Sequence, residues 1–391
     1  MILLKNADII LENEIQQNCD LLLKNNKIVK IGKSIEIENG IQVIDCTGKY
    51  IAPGFIDIHV HGGGGYDFMD PHEKAIHHIL NTHIRYGTTA IYPTTLASDT
   101  EATIEAIERI AEYQKTQPKN ECQILGIHLE GPYFNPIHKG AQPEEFIKIP
   151  TAEEYKRLLE NPIVKRISFA PEIENAIELA KYIEEKKIHG SVAHTNGSYD
   201  DVIAVMEHGV DLVTHLYSAM PVVYREKGYR KIGIAETGLL LDDLAVEVIA
   251  DGKHLPKELL RFIYKNKGND KLIVVTDAMR AAGQNVTHSV LGSEKYGLKV
   301  EIRDGVAFAP DGENFAGSIA TMDLLVRNMV NLAGVSVVNA VKMASLNPAK
   351  SMGVDKQKGS IKVGKDADIV LLSKDLLVEE VWVQGARAFR Q

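Results

Sequence analysis

The chain has 391 residues, 45% hydrophobic and 25% charged, the balance of a globular protein with its own core and not of a disordered or fibrous one. Its 44 Lys and Arg against 53 Asp and Glu leave a net charge of −9, the wrong sign for neutralising phosphates, so no nucleic-acid partner is expected. Cys19, Cys46 and Cys122 are scattered and build no disulfide framework or thiolate metal site, and neither a leader pattern nor a run near ~18 apolar residues is present, so the expectation is a cytoplasmic protein without a membrane span.

In chain order, residues 1–50 hold short apolar or alternating runs at 2–4, 20–24, 27–31 and 42–44. Asn, Gly and charged turns separate them, which predicts small antiparallel strands. From about 51 to 354, runs of four to eight apolar, β-rich residues alternate with helical stretches. The runs fall at 55–60, 88–93, 124–129, 167–170, 190–193, 211–214, 245–250 and 272–276. Helical patterns follow at 71–86, 99–114, 152–160, 175–186, 199–208, 256–266 and 322–332. Eight parallel strands with intervening helices predict an α/β protein built as a (β/α)₈ barrel. Gly62-Gly63-Gly64-Gly65 follows a strand but lacks the register of a dinucleotide fingerprint. The tail returns to short strands, so residues 1–50 and 355–391 are expected to form one small β-sandwich domain beside a barrel at 51–354.

The chemistry lies where His and acidic residues fall on those strands. His59 and His61 end the first as His-Val-His, and period-two alternation puts both on one face. Glu130 ends the third strand, His194 the fifth, His215 the sixth and Asp277 the eighth. Taken singly, each has a structural reading: Glu130 at a turn, Asp277 as a helix cap. Together they place six ion- or proton-handling groups at the carboxyl ends of barrel strands, where barrel enzymes carry their sites. Imidazole and carboxylate suit borderline divalent ions such as zinc, iron or cobalt. Such an ion lowers the pKa of a bound water from ~15.7 to about 7, and Asp277 is placed to take the water proton and deliver it to a leaving group. This is machinery for hydrolysis. His254, just after the seventh strand, can reach over the site toward a substrate carbonyl. His72, His77, His78 and His83 on one helix read as exposed or half-buried, His138, His189, His208 and His288 as lacking converging partners, and His128 as a polar core residue.

These residues sit in motifs that resemble the amidohydrolase superfamily and, within it, the N-acetylglucosamine-6-phosphate deacetylases. The motifs are Ala52-Pro-Gly-Phe-Ile-Asp-Ile-His-Val-His-Gly, Gly126-Ile-His-Leu-Glu-Gly-Pro, Lys139-Gly-Ala-Gln, Thr214-His-Leu-Tyr, Ile249-Ala-Asp-Gly-Lys-His, Val275-Thr-Asp-Ala-Met and Asn347-Pro-Ala-Lys. The resemblance implies removal of the N-acetyl group of a 6-phosphorylated amino sugar. It implies one or two divalent ions (zinc, iron, cobalt or manganese), with Glu130, His194 and His215 as the main ligands and Glu130 able to bridge, His59 and His61 matching members that carry a second ion, and Asp277 also counted among the ligands. Asp277 matches the acid/base residue, His254 the group that polarises the acetyl carbonyl or holds the sugar, and Gln142 a position lining the sugar pocket. Ser218, before Ala219, stands where the family commonly has a phosphate-binding Asn. Arg225 keeps the place of an arginine that reaches the phosphate of a neighbouring subunit, which implies a homodimer. A deacetylase of N-acetylgalactosamine 6-phosphate, or a cyclic-amide hydrolase or deaminase on the same barrel, are the alternatives. The fourth strand ends Phe169-Ala-Pro-Glu172 and offers no Lys of the kind many cyclic-amide hydrolases carboxylate.

Overall fold

The computed structural model describes residues 1–36, 40–295 and 297–391. Eight parallel strands form the central barrel: β1 Phe55–Val60, β2 Thr88–Thr95, β3 Ile127–Glu130, β4 Val164–Phe169, β5 His189–Val192, β6 Leu212–Val213, β7 Ala245–Val248 and β8 Leu272–Val274. Each pairs with the next in chain order, and a short strand, Gln123–Ile124, pairs with β2 ahead of β3. The ring closes through the bridge between Val60 and Ala278, where Asp277 N donates to His59 O at 2.9 Å. β6, β7 and β8 all stop short of the expected lengths. Past the ends of β6 and β8 the backbone turns left-handed at His215 (φ 31°) and Asp277 (φ 46°).

Outward-facing Val, Ile and Leu of the strands pack on the helices in one extended core that includes Ile91, Leu129, Ile167 and Val246. The helices follow the expected order, from Glu73–Ile84 and Thr100–Thr116 to Met322–Asn331. Side-chain caps fix several starts. Asp99 accepts from Glu101 N and Ala102 N, and Ser198 and Asp201 form a reciprocal capping box.

The chain ends share one eight-stranded sheet with its own core of Leu4, Leu21, Ile51, Ile369 and Trp382. The expectation of purely antiparallel strands is corrected here. Strand Ile2–Ile10 is antiparallel to Ile15–Lys24 on one edge, but its other edge runs parallel to Gln42–Asp45 and then Tyr50–Pro53. The chain crosses to that far edge before pairing, and so arrives in the same direction. Tyr50–Pro53 then leads directly into β1. Unread in the sequence were a hairpin of Tyr224–Glu226 and Tyr229–Lys231, a three-stranded insert of His288–Leu291, Leu298–Arg303 and Val306–Phe308, and the short helices Ile234–Leu240, Val337–Ala344 and Leu346–Ser351.

His83 also departs from expectation. It is fully buried, its Nε2 is 2.9 Å from Gly62 O, and burial pushes its imidazole down to about 4. The unfolded chain therefore binds the extra proton first, and stability is lost as pH falls from about 6.5 through 4, by ~3 kcal/mol for this group. His83→Gln should lose less stability over that window than the parent in denaturant titrations. Parallel pH dependences in the two proteins would contradict this.

Candidate metal centre

The barrel interior is divided: an apolar cluster with Ile56, Tyr92, Leu212 and Ile273 fills part of it, as in most barrels, and the rest is polar. Inward positions carry His59, Thr94, His128, Glu130, Arg166, Ser168, Ser191, Thr214 and Glu247, all buried. At the carboxyl end of the strands, the six groups expected from the sequence come together. Glu130 Oε1 lies 3.3 Å from His59 Nε2, 3.3 Å from His194 Nε2 and 3.1 Å from His215 Nε2, while Oε2 lies 3.4 Å from His61 Nε2. Asp277 Oδ1 is 3.2 Å from His61 Nε2 and 3.5 Å from His59 Nε2. The ligand atoms fall into two triads, His59–His61–Asp277 and Glu130–His194–His215, each within 4.8 Å.

The outer nitrogens of three of these imidazoles are tied back. His61 Nδ1 lies 3.2 Å from Thr94 O, His194 Nδ1 lies 2.9 Å from His138 O, and His59 Nδ1 lies 3.3 Å from Glu247 Oε2. Each of these partners is an acceptor, so each Nδ1 carries a proton and each Nε2 faces the centre, where an ion would take the lone pair in place of a second proton. His59 Nε2 is buried without a hydrogen-bond partner. Lone pairs and carboxylates facing one another in a dry site need a cation, and N/O donors in this number fit a divalent transition ion.

The local backbone is shaped for this convergence. His194, His215 and Asp277 all have positive φ (46°, 31° and 46°), a costly state for non-glycine residues that turns each side chain inward at its strand end. Gly140 (φ 57°) is required as well, because a Cβ there would stand 3.3 Å from the His194 ring.

Electrostatics agree with the geometry. Burial pushes His59 down, but Asp277 and Glu130 outweigh it and raise the imidazole to about 9. Burial would raise Glu130 and Asp277, yet the histidines hold Glu130 well below and Asp277 below the usual carboxylate range. Both acids are therefore kept ionised.

Above the centre opens a cavity of about 470 Å³. His254, Gln142, Ser218 and Ala219 line it, as expected, and Glu313, Asn314 and Phe315 complete its far wall. His254 Nδ1 bonds Asp251 Oδ2 at 2.7 Å, and its ring packs on Phe315 at 4.8 Å, so Nε2 is the nitrogen left for a ligand. Gln142 lines the pocket but spends its amide on the centre, donating to Glu130 Oε2 at 2.6 Å and accepting from Ala97 N at 2.9 Å. His138 lines the pocket too, which the sequence did not reveal. His128 is a core residue, 2.5 Å from Ser168 Oγ. Arg225 stands on the exposed hairpin, away from its own chain's pocket. Among the described lining residues there is no Lys or Arg.

Arg166 and Glu247 were missed: Glu247 lies inside the apolar run 245–250, which is a signal the sequence carries, whereas Arg166 falls just before the run 167–170. Glu294, on the insert, and Asp70 flank Arg280, which joins the insert to the loop after β1.

Residues 50–388 match the model of the amidohydrolase family. The chain is 30% identical over 386 residues to N-acetylglucosamine-6-phosphate deacetylase of Lysinibacillus sphaericus, covering 98% of this chain and 97% of the relative. It is 32% identical over 351 residues to N-acetylgalactosamine-6-phosphate deacetylase of Escherichia coli O157:H7, covering 89% and 90%. The crystal structure of N-acetylglucosamine-6-phosphate deacetylase from Pasteurella multocida superposes with a TM-score of 0.92 at 31% identity, covering all of both chains.

Proposed function

Because the chain belongs to the amidohydrolase family, we propose that it hydrolyses the N-acetyl group of N-acetylglucosamine 6-phosphate, giving glucosamine 6-phosphate and acetate. The observation that carries this reading is the convergence of four imidazole Nε2 atoms on Glu130, with Asp277 beside them at the floor of a sugar-sized cavity. Glu130, His194 and His215 would hold one divalent ion, and His59, His61 and Asp277 a second; zinc, iron, cobalt and manganese suit these donors. A bound ion supplies acidified water and charge stabilisation at the carbonyl oxygen.

The chain's own residues do the rest. Asp277, kept ionised, accepts the proton of the attacking water and passes it to the sugar nitrogen as the C–N bond breaks. His254, its Nδ1–H given to Asp251, presents Nε2 to the substrate, where the neutral ring accepts from a sugar hydroxyl and only the imidazolium donates to the acetyl oxygen. The barrel at 51–354 is the catalytic unit in this reading, and the sheet of the chain ends supports it. No described helix is long and apolar enough to cross a membrane.

A phosphate dianion in this pocket meets Ser218 but, among the described lining residues, no Lys or Arg of its own chain. The exposed hairpin offers Arg225 beside Arg230, flanked by the exposed apolar Val222, Val223 and Tyr229. This supports a homodimer in which Arg225 enters the partner's pocket. The relative acting on N-acetylgalactosamine 6-phosphate keeps that epimer as the second reading.

Acetate release from N-acetylglucosamine 6-phosphate, N-acetylgalactosamine 6-phosphate and unphosphorylated N-acetylglucosamine tests both points. The first substrate should lead in kcat/KM, and Arg225→Ala should raise KM for the phosphorylated sugars at least ~10-fold more than for the plain one, the loss expected when a charge-assisted phosphate contact is removed. Inactivity toward all three would end the proposal, and equal KM changes would remove Arg225 from the phosphate site.

A further inference from the structure

Beneath the metal centre lies a buried ion pair that the reaction does not use. Glu247, in the middle of β7, and Arg166, in the middle of β4, are both fully buried and bonded through Oε1 and Nη1. Arg166 is held on every side: Nη1 donates to Ile58 O at 3.1 Å, Nη2 to Thr214 Oγ1 at 3.0 Å, and Nη2 and Nε to Ser191 Oγ at 3.1 and 3.3 Å. The other carboxylate oxygen of Glu247 faces His59 Nδ1 at 3.3 Å and accepts from the backbone N–H of His215, a residue of the other triad, at 3.4 Å, so its one contact with a ligand imidazole of the centre is with His59.

A buried pair of this kind is a poor stabiliser, because desolvating two charges costs about what their attraction returns. Its placement points elsewhere. His61 and His194 are braced by neutral carbonyls, Thr94 O and His138 O. His59 alone among these three is braced by a carboxylate. A carboxylate behind an imidazole fixes the tautomer and makes the far nitrogen a stronger donor to a metal. Arg166 keeps that carboxylate charged in the barrel interior and, through Ile58 O, grips the residue before His59.

We propose that Glu247, set by Arg166, is a positioning residue that selects for the ion held by His59, His61 and Asp277, and so for a two-ion rather than a one-ion centre. The inference rests on the reading of that centre given above. It concerns binding, so it can be measured without turnover.

The test is zinc alone, titrated against a competing chromophoric chelator, with bound zinc per chain counted by elemental analysis. Glu247→Gln keeps shape and removes the charge. Arg166→Met/Glu247→Leu removes both charges, a replacement that buried pairs often tolerate, and also leaves His59 Nδ1 without its acceptor. Both variants should hold one zinc as the parent does and bind the second roughly 10–100-fold more weakly, the usual cost of losing an outer partner of a ligand. Second-site affinity within twofold of the parent, equal weakening of both ions, or recovery in the double variant of what the single variant lost would each overturn the proposal. So would failure of both variants to fold, which would make the pair a scaffold element. A parent that binds no zinc would instead refute the reading of the centre.

Discussion

Asp277→Asn is expected to lower kcat by ~10²–10⁴, the usual worth of a general acid/base, while the ion on Glu130, His194 and His215 stays near the parent level and the ion that Asp277 itself would hold is weakened. The asparagine keeps an oxygen for His61, 3.2 Å away in the parent, and fits the same turn, since Asn tolerates the positive φ of this position. What it cannot do is accept a proton from water and return it to the amine. The parent carboxyl is ready to accept that proton because it is ionised: although buried, it is held below the ordinary range by His59 and His61, which face it. Steady-state acetate release on protein of measured metal content checks this. Parent-like turnover in the variant would take the proton-transfer role from Asp277.

Glu130→Gln should be more damaging, because this side chain is the one group that meets all four imidazole Nε2 atoms. The amide lacks the negative charge and turns an N–H₂ toward ring nitrogens or toward the Gln142 amide, which now donates to Oε2 at 2.6 Å. Ion affinity should fall by more than the ~100-fold that marks loss of an outer-shell partner, and deacetylation should fall with it. Dialysis against a chelator of graded strength, followed by elemental analysis, reads the affinity. Retention of metal at the parent level would mean that Glu130 is a turn residue and no ligand.

The six central residues were legible because each follows an apolar run that can only be a barrel strand. Strand ends in such a barrel share one rim, so six positions distant in sequence become neighbours once the fold is recognised. The supporting residues were harder to read for the opposite reason. On β4, Lys165 is exposed and Arg166 buried, and nothing in the pair Lys-Arg says which parity faces the interior until the strand register is known. Glu247 sits in Ala-Val-Glu-Val, where a solvated strand charge is the commoner meaning. His83 and His138 were misjudged because burial and pocket lining depend on contacts with Gly62 and His194 made through the fold. In the insert, Leu298-Lys-Val-Glu-Ile-Arg303 alternates strictly and is a strand signal the sequence carries, while its partners, His288–Leu291 and Val306–Phe308, are too short to show a period of two. Arg225 was placed by its motif. The structure adds that it rides on an exposed hairpin whose turn, Lys227-Gly228, takes positive φ at both residues, as a tight two-residue turn requires.

The most direct test of the whole account is acetate release from N-acetylglucosamine 6-phosphate as metal-free protein is titrated with zinc, iron(II) or manganese. Activity should be absent in the stripped protein, rise with bound ion, and saturate at one or two ions per chain. Full activity without metal, or protein saturated with metal yet inert toward the acetylated sugar phosphate, would contradict it.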